Sequence, residues 1–168
     1  MRITEIILSV CFVVVVAGVS HGKEWHGIVP LHSTRADVDR LLGPSKEPAK
    51  DYVSIHDTER EVVLVEYSTG EPCSGGVNRW QVPRGTVLSV RVASRTQFRF
   101  SDLHIDESKY KVTDGGHVPN YTYYTNDQEG VQVEVTQGLV MSISYYPSSK
   151  DDDLRCAGSE SKQNHCSR

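Results

Sequence analysis

Between Val131 and Tyr146 the sequence runs Val-Gln-Val-Glu-Val-Thr, then Gln137-Gly138, then Leu-Val-Met-Ser-Ile-Ser-Tyr-Tyr. Two alternating apolar and polar runs, separated by two residues of which the second is glycine, are the pattern of an antiparallel hairpin. Side chains alternate across a strand, so Val131, Val133 and Val135 belong to one face and Gln132 and Glu134 to the other. A lone hairpin is not stable in water; the rest of the chain must extend it and cover its apolar face.

Tyr121-Thr-Tyr-Tyr-Thr125 is the expected next strand, entered from the turn-rich Thr113-Asp-Gly-Gly-His117 and left through Asn126-Asp-Gln-Glu-Gly130. Upstream, Glu61-Val-Val-Leu-Val-Glu-Tyr67 is too apolar for a solvent-washed edge and reads as a buried strand. Thr86 to Val92 alternates, with Leu88, Val90 and Val92 on one side and Ser89 and Arg91 on the other. Phe98 and Phe100 continue a similar alternation, and Trp80-Gln-Val82 is a shorter candidate strand.

The helix signal is Ser33-Thr-Arg-Ala-Asp-Val-Asp-Arg-Leu-Leu-Gly-Pro44. Thr34 can cap it, Asp37 can reach back to the cap amide, and Gly43 with Pro44 stops it. Val38, Leu41 and Leu42 share one face, and so short a helix holds only by packing on a sheet. The expected fold is α+β: a mostly antiparallel sheet with one short N-terminal helix packed on it. Each half of the chain also runs from a polar serine-containing segment through an apolar strand to a Tyr and a Cys, an echo that either duplication or chance would produce.

Ahead of the helix, Arg2 precedes the apolar run from Ile6 to Val19, followed by the small residues Ser20 and Gly22. At about 14 residues the run is shorter than the ~20 needed to span a bilayer and matches a signal peptide over residues 1–22, an uncleaved membrane anchor being the alternative. The expected organisation is then a single α+β domain over 23–156 and a disordered tail over 157–168, which has no apolar periodicity. The location expected is secreted or periplasmic, with no stable membrane anchor after cleavage. A net charge of −4 with scattered acidic residues offers no basic face for nucleic acid.

Cys73, Cys156 and Cys166 follow the leader. In an oxidising compartment two should pair. Cys73 and Cys156 each lie just beyond a strand-like run and are the favoured pair, with a Cys156 to Cys166 loop as the competitor. The spacing fits no zinc motif, and no metal or cofactor is expected.

No Gly-x-Ser-x-Gly element accompanies a nucleophile, and Ser74 reads as a turn serine beside the disulfide. His26, His32, His56, His104 and His117 have no ligand spacing, while Asp102, Asp106 and Glu107 read as solvated. Arg84-Gly85 reads as a turn. The tyrosines are more informative. In Tyr121, Tyr123, Tyr124, Tyr145 and Tyr146, neighbours point to opposite faces, so one of each adjacent pair cannot join the same core. Tyr123, Tyr124, Trp80 and Trp25 are therefore the expected contact residues, amphipathic edge packing being the competing role.

The segment Leu31-His-Ser-Thr-Arg-Ala-Asp-Val-Asp-Arg-Leu-Leu-Gly-Pro44, followed by a valine-rich strand ending in Tyr67, resembles the SmpA/OmlA type of bacterial envelope domain. Thr34, Val38, Leu41, Leu42 and Gly43 match its capped-helix motif, with Pro44 one position early. The resemblance implies a helix followed by an antiparallel sheet, similar to the β-lactamase-inhibitor-protein fold, and a role in binding other envelope proteins. The whole chain also resembles a set of uncharacterised secreted bacterial proteins sharing Trp25-x-Gly-Ile-Val-Pro-Leu-His-Ser-Thr-Arg35, Val82-Pro-Arg-Gly85 and Tyr123-Tyr-Thr-Asn126. The expected function is a secreted or periplasmic binding or assembly module without catalytic activity, its partner an envelope or secreted protein. A hydrolytic enzyme of unrecognised type and a protein inhibitor of an extracellular enzyme, presenting a rigid loop over Thr113 to Tyr121, are the alternatives.

Overall fold

In the computed structural model the described residues are 22–46, 50–70, 73, 80–115 and 120–156. Residues 1–21 and 157–168 lie outside them, and with them most of the expected signal segment over 1–22 and the whole expected tail, as do Ser74, His117 and Cys166. The elements are α1 (Arg35–Leu42), β1 (Val53–Asp57), β2 (Glu61–Tyr67), β3 (Val87–Ser94), β4 (Lys111–Asp114), β5 (Tyr121–Asn126), β6 (Val131–Thr136) and β7 (Leu139–Tyr145).

Gln137 and Gly138 both adopt positive φ, 51° and 76°. This is the turn hand that matches strand twist, and it joins β6 to β7 as the sequence requires. β5 adds to β6, β4 adds to β5, and among the described residues the sheet has seven strands in the order β1-β2-β3-β7-β6-β5-β4. Every neighbouring pair is antiparallel. Two meanders, β1 to β3 and β4 to β7, therefore meet through their last strands at the centre of the sheet. Among the described residues the fold is α+β, with a mostly antiparallel sheet and one α-helix.

Both parts of the core lie on the same face. Over the first meander, Trp25, Ile28 and the helix residue Val38 pack with Val63, Val65, Tyr67, Val87, Val90 and Val92. Over the second, Phe98, Phe100 and Leu103 cover Val131, Val133, Val135 and Val140, and Tyr145 contacts both groups. The helix is held as expected. The Thr34 side chain accepts from the Asp37 amide while Asp37 accepts from the Thr34 amide at 2.9 Å. Val38 is fully buried. Complete burial of such a side chain contributes roughly 1.5–3 kcal/mol.

Three local expectations change. Trp80 makes only a single bridge to Arg155, with the Gln81 amide bonded to the Leu154 carbonyl at 2.7 Å, so 80–82 is not a strand; Pro83 follows at once and cannot donate to a ladder. In β3 a register shift opposite Glu66 and Tyr67 places Val87 inside with Val90 and Val92, leaving Leu88 half-buried. A bulge changes the inside/outside parity that simple alternation assumes. Phe98 lies beyond β3 and Phe100 opens a 3-10 helix, Phe100–Leu103. β1 and β4 had no clear signal: β1 buries Ser54 and His56 rather than aliphatic residues, and all four β4 residues are exposed.

Cys73 and Cys156 form a disulfide with Cα atoms 5.5 Å apart, which is the favoured pair. No helix among the described residues is long and apolar enough to cross a membrane.

Candidate functional site

Because one sheet face carries the core, strand alternation dictates what stands on the other. Ile55, Leu64, Arg91, Ser144, Gln132, Thr125 and Lys111 lie in register across all seven strands. Beside this row Glu134 pairs with Tyr123 and with Ser142, and Thr136 pairs with Tyr121. This is an open face with three chemically distinct parts.

At the β5 end the Tyr121 and Tyr123 rings stand 6.1 Å apart, both half-buried. In the centre Glu134 accepts from the Arg91 guanidinium at 2.9 Å and from Ser142 Oγ at 2.5 Å. The carboxylate is mostly covered, at 14 % exposure, and the guanidinium is 48 % exposed. A pair this open contributes at most about 1 kcal/mol to stability, but it fixes a planar donor on the surface. At the β1 end Val53, Ile55, Val62 and Leu64 are half-buried, with Asp57 held by Lys46 at 2.7 Å and by Arg95. The outer edge of β1 is occupied by Ser45 and Lys46, which donate to the Ile55 carbonyl at 3.0 and 3.3 Å.

The expected contact residues separate. Tyr123 is on the open face, whereas Tyr124 is on the core side, stacked on Phe100 with ring centroids 3.9 Å apart. Trp25 is a core residue at 8 % exposure, so its place on a contact surface is corrected: its amide and carbonyl pair with Ile28 and turn the indole inward. Trp80 is half-buried beside the disulfide strand end, with the Arg155 guanidinium 4.5 Å over its ring. Sequence reasoning put Arg91 and Glu134 on the polar faces of their strands and had the tyrosine pairs, but gave Arg91, Glu134 and Tyr121 no contact role. The parity of β5 against Val133 and Val135 is the signal that finds Tyr121.

Among the described residues the histidines do not converge, and no group of three or more metal-ligating side chains occurs there. His26 packs edge-on to Trp25. His32 contacts the buried Asp151 at 3.1 Å, and Asp151 also accepts from the Ser148 amide and hydroxyl. Burial raises the Asp151 pKa, but those hydrogen bonds from His32 and Ser148 together outweigh it and leave the carboxyl below its ordinary value. His104 bonds the Asp102 carbonyl at 2.7 Å, while Asp102 and Asp106 serve as local caps. Arg84-Gly85 is a turn, with Gly85 at φ 81°.

His56 is different. It is buried on β1 with Nε2 2.9 Å from Ser54 Oγ, and Ser54 Oγ is 2.8 Å from the Tyr67 hydroxyl. All three are at 2 % exposure. A hydroxyl against an imidazole is nucleophile and base geometry, yet a group at this depth meets no substrate. An open cleft of about 420 Å³ lined by Trp25, His26, Leu42, Thr58, Glu59, Arg60 and Glu61 includes neither Ser54 nor His56. The loop expected for an inhibitor is closed at its base by the Gly115 amide on the Tyr121 carbonyl at 2.8 Å, and residues 116–119 lie outside the described residues.

No protein-family model matches the chain, and no curated protein matches it. The fold is similar to the crystal structure of a DUF4309 family protein, YjgB, from Bacillus subtilis, with a TM-score of 0.51 at 10% identity over 75% of this chain and 86% of that one. At that identity the likeness is one of fold.

Proposed function

We propose that the protein is a secreted or periplasmic binding or assembly module without catalytic activity, and that the open face of its sheet is the working surface. The observation that carries this reading is the Tyr121 and Tyr123 pair, placed on the face opposite the core. Two rings with apolar bodies and hydrogen-bonding tips, next to an Arg91 guanidinium held by Glu134, combine the side chains most enriched at protein interfaces. The occupant is another protein of the envelope or secreted fraction. A disulfide-closed chain behind an apolar leader supports that compartment. The helix-then-sheet order and the Thr34-capped helix support reading the chain with SmpA/OmlA-type envelope domains.

The test is affinity capture of the oxidised protein from its own envelope and secreted fractions, repeated with Tyr121→Ala/Tyr123→Ala, Arg91→Ala and Trp80→Ala. The reading requires one stoichiometric partner whose affinity falls at least tenfold in the double tyrosine variant and in Arg91→Ala. A partner held equally by all variants, or lost only with Trp80→Ala, contradicts it.

A further inference from the structure

The Ser54, His56 and Tyr67 cluster lies between α1 and the first meander. A buried hydroxyl needs an acceptor, and this fixes the direction of the hydrogen bonds. With Tyr67 donating to Ser54 and Ser54 donating to His56 Nε2, both hydroxyl hydrogens are used; in the opposite sense the Tyr67 hydrogen has no acceptor. The imidazole therefore carries its proton on Nδ1, on the side of the Gly43 backbone, which closes α1 and gives that proton only weak support. Nδ1 of His56 is the one buried side-chain polar atom among the described residues with no hydrogen-bond partner.

We propose that this cluster is an acid-triggered latch, in which a proton taken from solvent by His56 breaks the relay beneath α1 and frees the helix from the sheet. An imidazolium donates from both nitrogens. Nε2–H would force the Ser54 and Tyr67 hydroxyls to reverse, leaving Tyr67 O–H without an acceptor, while Nδ1–H stays poorly supported. The charged groups facing the ring come from α1. Arg35, whose guanidinium sits 4.0 Å over the Tyr67 ring, repels the new charge, and Asp39 attracts it. Arg35 is itself tied to the Lys50 and Asp51 carbonyls at 3.1 and 3.0 Å and cannot turn away without releasing them.

Burial accordingly holds the His56 pKa below its ordinary value, with Arg35 adding to the effect and Asp39 and the Gly43 backbone opposing it. An unpacked His56 binds its proton near pH 6.5, and the packed one binds it at lower pH. The packed state is therefore fully favoured above about pH 6.5 and loses up to tenfold in its packed-to-open ratio per pH unit below it, until the folded pKa is passed.

The experiment is hydrogen exchange of the α1 amides against those of the β6–β7 hairpin from pH 7.5 to 5, read as protection factors, on the wild type and on His56→Phe. Phenylalanine cannot titrate; it leaves one hydroxyl of the Ser54 and Tyr67 pair without its acceptor at every pH, so α1 protection starts lower in this variant but carries no pH dependence. The latch requires α1 protection to fall by up to tenfold per unit below pH 6.5 while the hairpin stays protected, and to stay level in His56→Phe. Equal falls in both proteins, no fall in the wild type, or α1 and hairpin opening together overturn it. Should His56→Phe not fold, a ring titration of His56 by NMR in the wild type decides: titration at or above pH 6.5 overturns the latch, and titration below it with simultaneous shifts in the α1 amides supports it.

Discussion

Removing the disulfide with Cys73→Ser/Cys156→Ser acts mainly on the unfolded chain, and its size can be worked from the fold. The bond spans a sequence separation of 83; closing a loop of that length removes unfolded-state entropy equivalent to about 4.6 kcal/mol at 25 °C. Little native packing is lost at Cys73, which is exposed, whereas Cys156 is buried at 7 %. The Trp80 bridge to Arg155 and the Gln81 bond to Leu154 hold the C-terminal end of that loop against the chain without the sulfurs. The native fold should therefore survive the substitution with a stability lower by about 3–5 kcal/mol, a large share of the ~5–15 kcal/mol available to a domain of this size. Urea denaturation followed by tryptophan fluorescence and far-UV circular dichroism measures it, with the denaturant slope rising because the uncrosslinked chain exposes more surface. A loss under about 1 kcal/mol with an unchanged slope would refute the reasoning, since the crosslink would then not constrain the unfolded ensemble.

Three further outcomes follow from the geometry. Gly130 sits at φ 67°, where an added Cβ would run into the Tyr146 carbonyl; Gly130→Ala should cost about 2–4 kcal/mol in thermal denaturation, and a neutral result contradicts the β6–β7 end as described. Tyr124→Ala, which removes the ring stacked on Phe100, should cost about 2–3 kcal/mol, whereas Tyr123→Ala on the open face should stay within about 1 kcal/mol; equal losses would contradict the assignment of faces. The Asp37 carboxyl is lowered to about 2, first by the Thr34 amide, then by the Thr34 hydroxyl and Arg40. Its contribution to the helix start is complete above the ordinary carboxylate value and is lost as pH falls through about 2. In an NMR titration Thr34→Val should move the Asp37 midpoint upward, and an unmoved midpoint contradicts the capping box.

The readable parts of the fold are those where one local rule decides the outcome. Gln137-Gly138 between alternating runs sets the hairpin and its closing pairs, Thr136 with Leu139 and Val135 with Val140, before a register shift pairs Glu134 with Ser142, and Thr34, Asp37 and Gly43 bound a helix by local chemistry alone. β1 was not readable because its inward positions are Ser54 and His56, polar residues made tolerable by Tyr67, which lies 13 positions from Ser54. β4 was not readable because an exposed edge strand carries no apolar alternation at all. The bulge opposite Tyr67 shifted Leu88 from its expected place since parity is preserved only while the ladder is regular. On the site, the logic that one of two adjacent tyrosines must leave the core was correct for Tyr123 and Tyr124, but which one leaves depends on pairing with β6. Trp25 was misplaced for a related reason: the bridge to Ile28 that turns it inward has no signature in composition.

The open face is the central claim, and covalent solvent labelling of the protein alone and in its captured complex tests it most directly. The account predicts that Tyr121, Tyr123 and Arg91 lose reactivity in the complex while Tyr52, exposed at 52 % ahead of β1, and the α1 residues keep theirs. Protection confined to α1, Tyr52 or the cleft beside Trp25, with Tyr121 and Tyr123 unchanged, would contradict it.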